Sequence, residues 1–235
     1  MTDEPDRRAH YREPRQARSA ATLARVLRAA EELVSSVGLE DVTITGVAER
    51  AGVSVGSIYR RFDGKEQLIA ALTERMLERR EEHLAEQLRL AEPSLSGVLD
   101  AYTHTLVRSF ADTSGLFPDL LRVREAQVMD RGSRTMTEVH RLLLTAAAPY
   151  TGQIRRPDPG AALDTVARAL LGACFHNSIR PDRPVDEESR SLYADELTEM
   201  ALAYLLSPGR RSAGTPKAHY GGRGAGSDAG YPARS

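Results

Sequence analysis

The chain has 235 residues, of which 41% are hydrophobic and 28% charged, so it is long and apolar enough to bury a core in one or two domains. Its 32 basic and 33 acidic side chains nearly cancel, and the lone Cys174 excludes an internal disulfide and a cysteine-rich zinc site. Because no apolar run approaches the roughly 18 residues of a membrane span and residues 1–8 lack the apolar core of a secretory signal, we expect a cytoplasmic protein without membrane contact.

The two ends of the chain differ from its middle in composition. Residues 1–17 carry prolines and many arginines without an apolar period, and residues 207–235 are rich in Gly and Arg. Both segments are predicted to be disordered, the first as a basic arm. Between them the apolar period is helical throughout, which predicts an all-α fold.

Three helices are predicted in the first part of this middle region. The first helix ends at Gly38. It carries an apolar stripe that consists of Leu23, Val26, Leu27, Ala30, Leu33, Val34 and Val37. Thr43 is predicted to cap a short second helix that ends at Gly52, and Ser54 to cap a short third helix. We expect Val53, Ile58 and Phe62 to lie in the core beneath these helices.

A long fourth helix is predicted to begin with a capping box of Asp63 and Glu66 and to end near Leu90. At 1.5 Å per residue it spans roughly 39 Å, enough to join two parts of a molecule. Prolines then separate predicted helices at 95–112, 118–129, 133–148, 160–179 and 186–206. The second and third helices form a helix-turn-helix pair with the first helix behind them, which predicts a DNA-binding domain at 18–65. The remaining helices predict a larger helical domain at 66–206.

Residues 43–68 carry the motif that is most informative about function. They include the Ala-Gly-Val-Ser turn at 51–54, the Gly-Ser-Ile-Tyr segment at 56–59, Phe62 and the Lys-Glu-x-Leu start of the fourth helix at 65–68. This segment resembles the DNA-binding signature of the TetR (tetracycline-repressor) family. With the first helix included, the resemblance covers about 50 residues, roughly a fifth of the chain.

The resemblance implies a DNA-binding surface made of the starts of the second and third helices and the segment that follows them. The implied DNA-binding residues are Arg18, Thr43, Thr45, Ser54, Val55, Gly56, Ser57, Tyr59, Arg60 and Lys65. Val55 stands where a polar or basic residue is common in the family, and Thr45 stands where an arginine is frequent. Base reading is therefore expected to depend more on Ser57, Tyr59 and Arg60 and on apolar contact with thymine methyl groups. Neighbouring helical positions point about 100° apart, so only one of Arg60 and Arg61 is expected to face DNA, and Arg60 is the choice.

Two further contacts with DNA follow from charge. Between Arg7 and Arg28 there are seven arginines and one acidic residue, and this basic arm is predicted to contact phosphates or the minor groove. Lys65 lies at a helix start, where a cation is unfavourable, and a nearby phosphate would offset that penalty. The near-neutral total therefore hides a basic arm beside an acidic larger domain.

The resemblance also implies a homodimer that binds a palindromic double-stranded operator and a small-molecule effector site in the larger domain. Candidate interface residues are Leu170, Cys174, Leu197, Met200 and Tyr204. Candidate pocket residues are Tyr102, His104, Phe110, Phe117, Met129, Met136, Phe175 and His176. Both sets of residues also fit an ordinary helical core, so the sequence does not decide between these sites and core packing.

The function that the sequence favours is a transcriptional repressor released from its operator by a small molecule, with no cofactor and no bound metal. The alternative is a ligand-independent DNA-binding activator or architectural protein. An enzyme is disfavoured, because Cys174 and His176 diverge by about 200° on a helix and cannot act as a local nucleophile and base. His104 and His140 have no helical spacing to a second histidine that is typical of a metal site.

Overall fold

The computed structural model describes residues 15–112, 126–178, 180 and 186–209, with side chains described over 19–111, 130–178, 180 and 186–209. The helices are α1 (Arg15–Val37), α2 (Ile44–Ala51), α3 (Val55–Tyr59), α4 (Lys65–Leu90), α5 (Leu95–Asp112), α6 (Ala126–Ala147), α7 (Pro159–Ser178) and α8 (Glu187–Leu206), with a 3-10 turn at Ala148–Gln153. These ranges contain helices and no strand, which confirms the all-α prediction. Most of the predicted arm and tail lies outside them.

The first three helices and the start of α4 enclose a small core of their own, and we call this unit the head. The predicted stripe on α1 faces that core, with Val26, Ala30 and Val34 buried against α2 and α4. Val37 was predicted on the same stripe but is 48% exposed, because α1 ends there and the chain turns at Gly38 with φ 84°. The head therefore has the three-helix arrangement that the sequence predicts.

Gly52 sets the angle between α2 and α3. Its φ of 64° and ψ of 42° are left-handed, and its amide donates to the α2 carbonyls of Ala48 and Glu49. A residue with a Cβ adopts this conformation only at a cost of about 1–2 kcal/mol. The tight turn that the sequence predicts at this point therefore depends on a glycine.

The helix α4 begins differently from the prediction. Its N-cap is Gly64, which supplies no side-chain hydrogen bond, so the capping box of Asp63 and Glu66 is wrong. Gln67 replaces Glu66 in the reciprocal contact: its Oε1 accepts from the Asp63 amide at 2.9 Å, and its Nε2 donates to the Asp63 carboxylate at 2.7 Å. Gln67 lies one residue beyond Glu66 and four residues, about one helical turn, after Asp63.

The larger domain packs α5 to α8 around a second core, which also takes in the end of α4. Its most deeply buried side chains include Leu84, Leu99, Tyr102, Leu143 and Leu170. The predicted break between helices at 129–133 is wrong, because α6 continues through Gly132. The predicted helix at 118–129 lies outside the described residues except for its last turn, which is the start of α6. Within the described part of the chain, no helix is both long and apolar enough to cross a membrane.

Candidate nucleic-acid interface

Two hydroxyl caps fix the starts of α2 and α3. The Thr43 Oγ1 accepts from the Gly46 amide at 3.0 Å, and the Ser54 Oγ accepts from the Ser57 amide at 3.2 Å. Both caps were predicted from the sequence and both are confirmed. Thr43 and Ser54 are both exposed, so each helix start, where the helix dipole favours an anion, lies at the surface.

The helix α3 is held by its buried side and exposes the opposite side. Ile58 is fully buried in the head core and Phe62 is buried beside it, as predicted. Ser54, Gly56 and Tyr59 are exposed, Tyr59 at 54%. Val55 is half-buried and packs against the head core, so only part of its side chain reaches solvent. A recognition helix needs this division between a fixed inner face and a bare outer face.

Arg60 and Arg61 have different surroundings, although they are neighbours. The Arg61 guanidinium donates to the Ser57 carbonyl at 3.0 Å and to the Ser19 Oγ of α1 at 3.1 Å, and its side chain is half-buried. Arg60 is exposed, and its Nη2 donates to the Ser57 Oγ at 2.9 Å. Arg61 thus connects α3 to α1, and Arg60 leaves its remaining donors on the outer face. This difference agrees with the expectation that one of the two faces DNA.

Lys65 has a partner within the head. Its Nζ donates to the Glu40 carbonyl at 2.7 Å, across the loop between α1 and α2. This hydrogen bond explains a cation at the start of α4 without a phosphate. Thr45 is exposed on the first turn of α2, and the Arg18 side chain lies outside the described side chains.

A cleft lies in the larger domain between α4, α5, α6 and α7. It holds about 410 Å³ of empty space, part of it open solvent at the mouth. Its lining is mainly apolar and comprises Leu77, Arg80, Leu84, Leu106, Ser109, Phe110, Thr135, Met136, Val139 and Leu171. Of the eight predicted pocket residues, Phe110 and Met136 line this cleft.

The other predicted pocket residues lie elsewhere. Tyr102 is fully buried in the core, where burial raises the pKa of its phenol, and His176 is exposed. Phe175 meets Phe110 edge to face, with ring centroids 6.4 Å apart. His104 connects α5 to α8 instead of lining the cleft. Phe117 and the Met129 side chain lie outside the described part of the structure.

The position of His104 depends on a contact that the sequence analysis missed. Its Nε2 is 3.0 Å from an Asp195 carboxylate oxygen and 3.4 Å from one of Asp100. Asp100 precedes His104 by one helical turn, which the sequence displays, but Asp195 is 91 residues away along the chain. The result is a polar contact that joins α5 to α8.

The predicted dimer interface requires a correction. Leu170, Cys174 and Leu197 are buried in the protomer's own core and leave little surface for a partner. Tyr204 is half-buried beneath the Arg156 guanidinium, 4.1 Å from the ring centroid, and Met200 is 52% exposed. The large apolar side chains that α8 does expose are Leu192, Met200 and Leu206.

Cys174 and His176 do not form a reactive pair. Cys174 is 1% exposed, and burial raises the pKa of its thiol to about 12. His176 lies at the surface on another side of α7. A protonated buried thiol and a remote imidazole provide no activated nucleophile.

Comparison with known proteins agrees with the geometry of the head. Residues 26–72 match the family described as bacterial regulatory proteins, tetR family. The tetracycline repressor protein class C of Escherichia coli is 44% identical over 52 residues, which are 22% of this chain and 24% of that repressor. That match spans about a quarter of the repressor's length.

Solved structures extend the likeness to most of the chain. A TetR-family transcriptional regulator from Streptomyces coelicolor is 28% identical with a TM-score of 0.53, over 80% of this chain and 97% of that one. GusR of Salmonella enterica has a TM-score of 0.59 at 22% identity, over 79% of this chain and 95% of its own, and at that identity it shows the fold alone. Residues 26–72 therefore match the tetR family of bacterial regulatory proteins, and most of the chain shares its fold with a TetR-family transcriptional regulator of known structure.

Proposed function

We propose that this protein is a sequence-selective DNA-binding transcriptional regulator, and that it acts as a repressor which a small molecule releases from a palindromic operator. The single observation that carries the proposal is the outer face of α3. Ser54, Gly56, Tyr59 and Arg60 are exposed together on a helix that Ile58 fixes from behind. The match of residues 26–72 to the tetR family supports the same function for this face.

The chemistry of this face suits a duplex. Gly56 has no atom within 4 Å of the place where a Cβ would lie, so the backbone of α3 can come close to base edges. The Ser54 cap leaves an electropositive helix start on the same side, and Arg60 adds a guanidinium for phosphate or guanine contact. Lys65 is proposed to contribute through the loop it holds rather than through a phosphate contact.

We also propose that two copies associate through the exposed face of α8. Leu192, Met200 and Leu206 are large apolar side chains accessible on one protomer, at 60%, 52% and 41%. Apolar side chains grouped on one helix are typical of an interaction surface. A two-fold dimer would place two heads one DNA turn apart, about 34–36 Å, and would explain a palindromic site.

The test of DNA binding begins with selection of duplexes from a random pool by the wild-type protein. Binding to the selected sequence is then measured at several salt concentrations, against a scrambled duplex of the same composition. Tyr59→Ala and Arg60→Ala are expected to weaken binding, whereas Arg89→Ala, an exposed arginine at the far end of α4, is the matched control. Failure to enrich any sequence, or equal affinity for the scrambled duplex, would contradict the proposed function.

The effector part has a separate test. A compound library is screened by thermal shift on the wild-type protein, and each stabilising compound is tested for release of the selected DNA. Val139→Phe narrows the cleft and is expected to abolish the response to a compound bound there. If no compound both stabilises the protein and releases DNA, the ligand-independent regulator is favoured instead.

A further inference from the structure

The buried guanidinium of Arg131 lies between the cleft and the helix that carries the head. Arg131 is on α6 and is 6% exposed. Its Nε donates to the Glu74 carboxylate at 2.7 Å, and its Nη1 donates to the Glu81 carboxylate at 2.7 Å. Glu74 and Glu81 are two turns apart on one face of α4. One guanidinium therefore connects two turns of α4 to α6.

The same guanidinium also contacts the wall of the cleft. Arg131 Nη1 donates to the Thr135 Oγ1 one turn further along α6, and Thr135 lines the cleft. Thr135 is 4% exposed and Arg131 is nearly as well buried, so neither side chain can move freely. A displacement of α6 at the cleft therefore reaches α4 through a short chain of hydrogen bonds.

The helix α4 is connected in turn to the head. Arg79 Nη2 donates to both carboxylate oxygens of Glu31 on α1, at 2.6 and 2.7 Å. The Arg75 guanidinium donates to the Ala24 carbonyl of α1 at 3.4 Å. Both contacts leave α4 within the segment that Glu74 and Glu81 bracket. Polar contacts therefore lead from Thr135 through Arg131 to α4, and from the same segment of α4 to α1.

The charge of the Arg131 guanidinium opposes the loss of its hydrogen bonds with Glu74 and Glu81. The hydrogen bond with Glu81 is the largest influence that raises the pKa of the Arg131 guanidinium, and Glu74 adds to it, so the group stays charged. A buried guanidinium that loses its carboxylates is strongly disfavoured. If α6 shifts, Arg131 either carries α4 with it or exchanges both partners, and such two-state behaviour is what coupling between sites requires.

We infer that Arg131 is the positioning residue through which occupancy of the cleft changes the orientation of the DNA-binding head. This inference rests on the proposed function, since it assigns a regulatory route between the proposed effector cleft and the proposed DNA-binding face. Arg131 contacts neither the DNA-binding face nor the open space of the cleft in this route. It acts by joining Thr135 to Glu74 and Glu81.

A permanent occupant of the cleft makes the inference testable without a known effector. Val139→Phe fills part of the cleft from α6, and Leu106→Phe does so from α5 in case the first variant folds poorly. Each is combined with Arg131→Met, with Arg131→Lys and with the control Arg141→Met. Arg141 is an exposed arginine on the same helix whose Nε donates to Glu138, one turn away on α6 itself.

Two readouts are compared in every combination. The first is amide hydrogen exchange in residues 65–76 of α4 and in α1, which needs no DNA. The second is the affinity for the selected duplex. In the wild-type and Arg141→Met backgrounds, a cleft-filling variant is expected to change both by about fivefold or more, the lower end of typical coupling. In the Arg131→Met background the same variant is expected to change neither by more than about twofold, and Arg131→Lys is expected to restore part of the effect.

The outcomes separate this inference from the proposed function. If the cleft-filling variants change exchange and affinity equally with and without Arg131, or change neither in the wild-type background, Arg131 is not the coupling residue. If the wild-type protein selects no DNA, the proposed function fails, and the exchange measurements alone decide whether Arg131 couples the cleft to the head. If Arg131→Met lowers the melting temperature but keeps the response to the cleft-filling variant, Arg131 stabilises the fold and does not couple the cleft to the head.

Discussion

Removal of the Arg60 guanidinium is the most direct perturbation of the proposed DNA-binding face. Arg60 is exposed beside Tyr59, and its internal hydrogen bond, to Ser57 Oγ at 2.9 Å, uses one of its five N–H donors. Arg60→Ala is therefore expected to leave the head folded, with a melting temperature close to that of the wild type. Its effect should appear in DNA binding.

The size of that effect follows from counterion release. Each phosphate contact contributes about 0.9 to the slope of log affinity against log salt. A dimer would lose one contact in each head, so the slope should fall by about 1.8. Between 50 and 200 mM salt, a fourfold change, the variant should then lose about twelvefold less affinity than the wild type loses.

Fluorescence anisotropy on the selected duplex, titrated at four or five salt concentrations, measures both slopes. Arg61→Ala is the matched control, because Arg61 donates to the Ser57 carbonyl and the Ser19 Oγ within the head. It is expected to destabilise the head by about 1–2 kcal/mol and to leave the slope nearly unchanged. An unchanged slope for Arg60→Ala together with a reduced slope for Arg61→Ala would show that Arg61, and not Arg60, makes the phosphate contact. A decrease of about 0.9 instead would contradict the dimer on DNA.

Three further predictions concern the turn, the partner surface and a helix cap. Gly52→Ala should destabilise the head by about 1–2 kcal/mol in chemical denaturation because its φ is 64°, whereas Gly56→Ala should keep stability but weaken DNA binding by obstructing backbone approach. Met200→Arg should shift the protein toward monomer in sedimentation equilibrium, and Leu90→Arg, at an exposed site on α4, should not; an unchanged mass for Met200→Arg would exclude the α8 face. The Ser189 amide and hydroxyl lower the pKa of Asp186 at the start of α8, so its contribution to stability is present at neutral pH and is lost as the pH falls through the folded-state pKa. Asp186→Asn should therefore lower the melting temperature at pH 7, by an amount that shrinks as the pH falls below 3.8, the ordinary pKa of this carboxyl, and a difference that does not depend on pH would contradict this cause.

The features that the sequence predicts well are those decided by residues close together in the chain. Thr43 and Ser54 each cap a helix by accepting from the amide three residues later in the chain. Gly52 ends α2 because its own backbone conformation is left-handed. The burial of Ile58 and Phe62 follows from their four-residue spacing. Such local signals require no knowledge of what packs against them.

The features that the sequence could not supply depend on pairs that are distant in the chain. Lys65 meets the Glu40 carbonyl 25 residues away, and Arg131 meets Glu74 and Glu81 at separations of 57 and 50 residues. In the sequence alone, Arg131 is indistinguishable from an exposed arginine. Three of the five dimer candidates, Leu170, Cys174 and Leu197, lie in the protomer core for a related reason: an apolar stripe that faces the core has the same period as one that faces a partner.

The two cores of the molecule meet along α4, at a junction that the proposed coupling would use. Leu68, Ile69 and Leu72 of α4 belong to the head core, and Leu84 and Leu88 belong to the core of the larger domain.

Between these groups the helix is buried at Thr73 and at Leu77, and Leu77 lines the cleft. Met76 packs partly buried against the head core, and Arg75 donates to the Ala24 carbonyl of α1. Ion pairs also join the helix to α1 and α6 here, those of Arg79 with Glu31 and of Arg131 with Glu74 and Glu81. A close-packed apolar contact resists small displacements, because any gap loses dispersion energy at once. Charged hydrogen bonds instead break and re-form between discrete partners. Under the proposed regulation, the ion pairs would exchange partners while both cores stay intact, and a ligand that prefers one arrangement would shift the head.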